Sequence, residues 1–86
     1  MKITIAPGAE KQLRKFPKFD QIAIAQKIRS LTAPALLNEE KLSGYPRIYR
    51  VRVGNYRIVY RKTECIYIIL IGHRKDIYRV LRDVLS

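Results

Sequence analysis

The stretch Arg47-Ile48-Tyr49-Arg50-Val51-Arg52-Val53-Gly54-Asn55-Tyr56-Arg57-Ile58-Val59-Tyr60-Arg61 decides the fold. Two runs rich in β-branched and aromatic residues flank Gly54-Asn55, a dipeptide suited to a two-residue hairpin turn. A turn of that length sets Val53 opposite Tyr56, and the rest of the register follows. Arg52 faces Arg57, Val51 faces Ile58, Arg50 faces Val59, Tyr49 faces Tyr60 and Ile48 faces Arg61. Side chains alternate along a strand, so the hairpin sorts into two faces. Tyr49, Val51, Val53, Tyr56, Ile58 and Tyr60 form the core side. Arg50, Arg52, Arg57 and Arg61 share the other side with Ile48 and Val59. Like charges placed directly opposite cost roughly 0.2–1 kcal/mol per pair. No acid within the hairpin offsets them, so this face reads as a surface for a polyanion rather than as a merely solvated sheet.

Downstream, Lys62-Thr63-Glu64-Cys65 makes a second turn, and Ile66-Tyr67-Ile68-Ile69-Leu70-Ile71 is an almost wholly apolar strand. Such a strand needs cover on both faces. Upstream, Met1–Ile5 alternates weakly and reads as a short strand, broken by Ala6-Pro7-Gly8, with Pro7 suited to the first turn of a helix. Ala9, Leu13 and Phe16 recur at helical spacing. After Pro17 a second helix is expected, with Asp20 as its N-cap, Ile24, Ala25, Ile28 and Leu31 as its apolar stripe, and Pro34 as its stop. Residues 33–46 read as a connecting loop punctuated by Gly44 and Pro46. The tail from Lys75 to Leu85 carries the helical stripe Ile77, Leu81 and Val84. The fold class is therefore α+β: an N-terminal strand, an antiparallel helix pair, a three-stranded antiparallel meander and a short C-terminal helix. The helix pair covers one sheet face and the tail covers part of the other.

With 86 residues, 48% of them hydrophobic, the chain is a single domain, 1–86, with a small core. The net charge of +11 is uneven: residues 1–40 hold seven Lys/Arg against four Asp/Glu, residues 41–86 eleven against three. This asymmetry points to a phosphate-rich partner, or to an acidic protein that masks the same surface. No apolar run approaches the roughly 20 residues of a membrane span, and the N-terminus has no signal-peptide core. One cysteine, Cys65, and one histidine, His73, give neither an internal disulfide nor metal-ligand spacing. The chain reads as cytoplasmic, without metal, cofactor or membrane association.

Three segments together resemble the RelE/ParE superfamily of bacterial and archaeal toxins. They are Lys41-Leu42-Ser43-Gly44, Tyr49 to Tyr60, and Ile71-Gly72-His73-Arg74-Lys75-Asp76-Ile77-Tyr78. The order of elements matches over nearly the whole chain, and Arg-Val-Gly-x-Tyr-Arg followed by Gly-His-Arg-x-x-x-Tyr is fairly specific to the group. The resemblance implies a RelE-like fold and the toxin half of a type II toxin–antitoxin pair, monomeric when free and neutralised by a cognate acidic antitoxin. RelE-like members cleave messenger RNA in the ribosomal A site by attack of the 2′-hydroxyl on the adjacent phosphate. ParE-like members share the fold and poison DNA gyrase. The active positions of the RNA-cleaving branch fall here on Arg50, Arg52, Arg57, Arg74 and Tyr78, which favours that branch with ribosome and mRNA as partners. A non-catalytic nucleic-acid-binding module is the remaining alternative. The bacterial pattern commonly has lysine at Arg50 and Arg52, and the segment between Arg74 and Tyr78 is shorter than in some members.

The chemistry implied is demanding. RNA cleavage through its own 2′-hydroxyl needs in-line geometry, a stabilised phosphorane and proton transfer at both ends. Arginine forks grip phosphate oxygens bidentately, and charge preorganised at the developing anion is often the largest catalytic contribution. Arg57 and Arg74 are expected in that role, with Arg50, Arg52, Arg61 and Lys41 binding flanking RNA. Arginine does not deprotonate in proteins, so proton transfer falls to His73, the histidine being the side chain that ordinarily titrates near neutrality, or to Tyr78.

Overall fold

The computed structural model describes residues 2–32 and 39–85. Eight elements run in order: β1 (Ile3–Ile5), α1 (Pro7–Lys15), α2 (Lys18–Ser30), β2 (Glu40–Lys41), β3 (Ile48–Val53), β4 (Tyr56–Lys62), β5 (Ile66–His73) and α3 (Ile77–Leu85). The strands form one mixed sheet in the order β1-β5-β4-β3-β2. β1 runs parallel to β5, and the remaining neighbours are antiparallel.

The central hairpin has the expected register at all six pairs, from Val53 opposite Tyr56 to Ile48 opposite Arg61. Gly54 sits at φ +57°, while Asn55 keeps a negative φ. That is the sign pattern of a type II′ turn, whose first central position wants glycine and whose twist matches the flanking strands.

The alternation read from the hairpin divides the protein into two cores. On one face Val51, Ile58, Tyr60, Ile66, Ile68 and Ile71 are buried beneath Ala9 of α1 and Ile24 and Ile28 of α2, with Leu31 just beyond it. Leu13, Phe16, Tyr49, Val53 and Tyr56 pack around this cluster. On the other face Ile48, Val59 and Ile69 are buried beneath Ile77 and Leu81 of α3. Each such aliphatic side chain contributes about 1.5–3 kcal/mol when fully buried. The apolar strand β5 is thus covered on both sides, as its composition demands.

Ile69 reaches the second core through an irregularity. Opposite β5, the register slips by one residue between Val59 and Tyr60, where Val59 pairs with Leu70 and Tyr60 with Ile68. The extra residue is Ile69. A bulge of this kind turns a side chain to the opposite face, so β5 serves the helix pair with Ile68 and α3 with its neighbour.

Four local expectations are corrected. The segment expected as a loop over 33–46 contains β2, which pairs Glu40 with Arg50 and Lys41 with Tyr49; residues 33–38, including Pro34, lie outside the described residues. β4 continues through Lys62, so the second turn is confined to Thr63, Glu64 and Cys65. Asp20 is not the N-cap of α2, because the helix begins two residues earlier with Pro17 as its cap. Its carboxylate instead accepts a hydrogen bond from Tyr56 Oη at 3.0 Å, tying α2 to the hairpin. In α3 the inward stripe is Ile77, Leu81 and Leu85, while Val84 is 51% exposed. Spacing of i, i+4, i+8 fits a short helix laid flat on a twisted sheet. No helix among the described residues is long and apolar enough to cross a membrane.

Candidate functional site

Arg50, Arg52 and Arg57 project from the same sheet face because each occupies the alternate position to a core residue. Among the described residues β2 pairs with only Tyr49 and Arg50, so β3 becomes a free edge beyond that point. A cleft of about 450 Å³ opens there, lined by Lys27, Glu40, Arg50, Arg52, Arg57 and Tyr78, with Val51 at its base. Four cations face one carboxylate. The low-dielectric wall of packed sheet beneath them strengthens their field in the cleft.

Arg50 is held by side chains on two sides. Its Nη1 donates to Tyr78 Oη at 2.6 Å and its Nη2 to Glu40 Oε2 at 3.0 Å. The guanidinium carbon also lies 5.2 Å from the centroid of the Tyr78 ring, within cation–π range. The hydrogen bond that Arg50 donates to Glu40 raises its pKa above the ordinary value, with partial burial opposing the effect and the nearby tyrosine adding to it. Tyr78 is brought to this position by α3. Ile77 anchors the first turn in the second core, and the next residue is thereby turned to the cleft at 37% exposure.

Arg57 lies across the ladder from Arg52. Its Nη1 donates to the carbonyl oxygens of Tyr56 at 3.0 Å and Gly54 at 3.3 Å. These bonds hold the side chain back against the hairpin turn and leave the remaining guanidinium donors toward the cleft. Arg74 is exposed just past β5, where its backbone N–H donates to Asn55 O at 2.8 Å. That bond ties it beside the turn, outside the cleft lining.

Not every residue singled out in the sequence gathers here. His73 pairs with Tyr56, on the helix side of the sheet, away from the arginines. Its ring meets the Tyr56 ring edge-on at 6.0 Å, and Nδ1 accepts from the Lys75 N–H at 3.3 Å. His73 therefore stands on the opposite side of the sheet from the arginines, outside the lining of their cleft. Lys41 stands opposite Tyr49, also in the helix-side register, and flanks a separate depression over Leu42 to Pro46. Arg61 shares the arginine face but lies four positions along β4 from Arg57, roughly 13 Å at strand spacing.

Two members of the cleft carried no signal in the sequence. Lys27 comes from α2, and Glu40 enters through the edge strand, supplying the acid that the hairpin itself lacks. A further acid, Glu39, faces inward: its carboxylate accepts hydrogen bonds from the buried Tyr60 hydroxyl and from Lys62 Nζ at 3.1 Å. Burial, followed by this carboxylate, drives the Tyr60 pKa well up. Tyr56 is likewise raised, by burial and then by Asp20.

Comparison with known proteins agrees with the sequence motifs. The model of the ParE toxin family of type II toxin–antitoxin systems (parDE) matches residues 3–78. A chain of the RelB–RelE antitoxin–toxin complex from Methanococcus jannaschii is 31% identical, with a TM-score of 0.73 over 87% of this chain and 94% of that one. The isolated RelE toxin of E. coli superposes with a TM-score of 0.71 at 22% identity, covering 99% of this chain and 98% of that one. A chain of the RelBE2 toxin–antitoxin complex of Mycobacterium tuberculosis, 22% identical, gives 0.73 over 85% and 90%. Curated protein sequences give no significant match.

Proposed function

Because the chain belongs to the RelE/ParE superfamily of type II toxin–antitoxin toxins, we propose that it is a ribosome-dependent endoribonuclease that cuts mRNA in the A site. The observation that carries this reading is the single cleft holding Arg50, Arg52, Arg57 and Tyr78. These are four of the five positions at which the RNA-cleaving branch places its active groups, and the fifth, Arg74, stands beside the hairpin turn.

In this reading the 2′-hydroxyl attacks the adjacent phosphorus and releases its proton to solvent, the bond to the 5′-oxygen breaks, and a 2′,3′-cyclic phosphate is left. Arg57 and Arg52, opposite one another, hold the non-bridging oxygens as charge accumulates on the phosphorane. Arg50 orients Tyr78. With its oxygen accepting from Arg50, the Tyr78 hydroxyl keeps its own proton to deliver into the cleft, which suits a general acid at the departing 5′-oxygen. Among the described residues the one ring in the cleft lining, that of Tyr78, carries the Arg50 guanidinium, while Tyr49 and Tyr60 stack on each other on the helix side at 6.1 Å and Tyr56 turns to Asp20. Sequence-specific RNA readers normally stack splayed bases on exposed rings. In-line geometry must then come from outside, and the ribosome, which holds mRNA in a fixed path, supplies it.

An antitoxin partner is supported by the RelB–RelE complexes among the structural relatives. Its neutralising segment is expected to bring acids to the cleft or to displace the α3 tail that carries Tyr78. The family model that matches is named for ParE, and this favours gyrase poisoning as the second reading. Primer extension on translated and ribosome-free transcripts tests the proposal, with a gyrase DNA-cleavage assay in parallel. Cuts confined to translated RNA support it. Uncut RNA together with trapped gyrase–DNA complexes would transfer the chain to the second reading.

A further inference from the structure

We propose that Glu40 is an internal stand-in for a substrate phosphate, occupying one edge of Arg50 in the free protein and giving it up when a phosphate arrives. Arg50 divides its guanidinium between two partners, with Nη1 on Tyr78 Oη and Nη2 on Glu40 Oε2. Carboxylates and phosphates bind the planar edge of a guanidinium in the same way. The Glu40 carboxylate therefore stands where an oxyanion belongs, in a cleft whose other charged lining residues are cations. It leaves the Tyr78 side of the fork untouched, so the tyrosine stays oriented through the exchange.

The carboxylate is placed by construction and held lightly. β2 registers Glu40 directly opposite Arg50. The preceding residue fixes the backbone, because the Glu39 carboxylate is tied to the buried Tyr60 and to Lys62 on the other side of the sheet. Yet the Glu40 side chain is 69% exposed and that of Arg50 30%. Ion pairs so open to water are worth little, and Glu40 leaves by rotating its own side chain with the strand in place. The pair thus keeps Arg50 aimed while limiting the affinity of the cleft for stray polyanions. The inference rests on the reading of the cleft as an RNA site, but not on cleavage.

The test is equilibrium binding of a fluorescein-labelled 2′-O-methyl oligouridylate, which lacks the nucleophile and cannot be cut. Four variants are compared with the parent chain: Glu40→Gln, Arg50→Gln, the two combined, and Glu10→Gln. Glu10 is the control acid, paired to Arg14 at 2.6 Å on α1, away from the cleft. Glu40→Gln should tighten binding about two- to fivefold, the range released by an exposed ion pair. It should also steepen the log–log salt dependence by up to about 0.7, one phosphate contact on a single strand. Both gains should vanish in the Arg50→Gln background and be absent in Glu10→Gln. A gain of equal size in either of those would reduce the effect to net charge and overturn the proposal. An unchanged affinity in Glu40→Gln, with the parent still binding RNA and cutting translated transcripts, would overturn it alone. No binding by any form at low salt would remove it together with the RNA reading.

Discussion

Replacing Arg52 by glutamine should make the protein more stable and less active at once. Arg52 and Arg57 are directly opposed on the arginine face, a placement in which like charges cost roughly 0.2–1 kcal/mol. Glutamine keeps two of the three methylenes and ends in a neutral amide, so the charge is removed while the side chain stays polar. The Arg57 guanidinium is partly drawn off toward the Gly54 and Tyr56 carbonyls, which places the relief in the lower half of that range. For a domain of this size 1 kcal/mol moves the midpoint by about 4–8 °C, so a rise of about 1–4 °C is expected. Activity should move the other way. A hydrogen bond to a charged group is worth about 1.5–3 kcal/mol, so losing one phosphate contact should lower kcat/KM for translated mRNA about 10- to 150-fold. Thermal unfolding by circular dichroism and quantitative primer extension read the two effects on the same preparation. A lowered midpoint with cleavage unchanged would show that Arg52 serves the fold, and the assignment of this face to RNA would fail.

Tyr78→Phe keeps the ring beneath the Arg50 guanidinium and removes only the hydroxyl 2.6 Å from Nη1. Because the residue is partly exposed, stability should change by no more than about 0.5 kcal/mol, while single-turnover cleavage falls about 10²–10⁴-fold if the hydroxyl transfers a proton. A loss below tenfold would assign Tyr78 to positioning. His73→Gln should leave the cleavage rate within twofold, since His73 faces Tyr56 on the helix side; a large loss of rate without loss of stability would contradict that placement. Alkaline stability should reflect Tyr60, whose pKa is raised in the fold by burial and by Glu39. The unfolded chain releases this proton near pH 10 and the folded one only higher, so stability is full below pH about 10 and falls above it, with a limiting slope of about 1.4 kcal/mol per pH unit. Urea titrations across that range should show a shallower decline in Tyr60→Phe, and identical slopes would refute the linkage.

What the sequence discloses, and what it hides, follows from how local each determinant is. The hairpin register needs only Gly54-Asn55 and the alternation on either side, all within fifteen consecutive residues, so Arg50, Arg52 and Arg57 could be placed on one face by counting. The two-sided cover of β5 was legible from its unbroken apolar run. The bulge at Ile69 was not, because nothing in Ile68-Ile69-Leu70 distinguishes an extra residue from a regular one; it becomes visible only when Val59 and Tyr60 choose their partners. β2 was hidden for a related reason. Two charged residues, Glu40 and Lys41, have no strand pattern of their own and are ordered by pairing with β3. With them went the one acid of the cleft. The face that His73 takes was not legible, because it depends on β5 pairing across the sheet and not on the motif around it. Tyr78, by contrast, was within reach, since Ile77 and Leu81 fix which way α3 faces.

The reaction assigned to the cleft has one internal nucleophile, and it can be removed without touching the protein. A transcript is assembled with a single 2′-deoxynucleotide on the 5′ side of a mapped cut, placed in the A site of a stalled ribosome, and compared with its all-ribose counterpart in the presence of this chain. The all-ribose strand should be cut to a 2′,3′-cyclic phosphate and a 5′-hydroxyl, and the substituted strand should remain whole at that position. Cutting of both strands at the same bond, or products ending in a 5′-phosphate, would contradict attack by the 2′-hydroxyl and with it the catalytic role given to the arginine cleft.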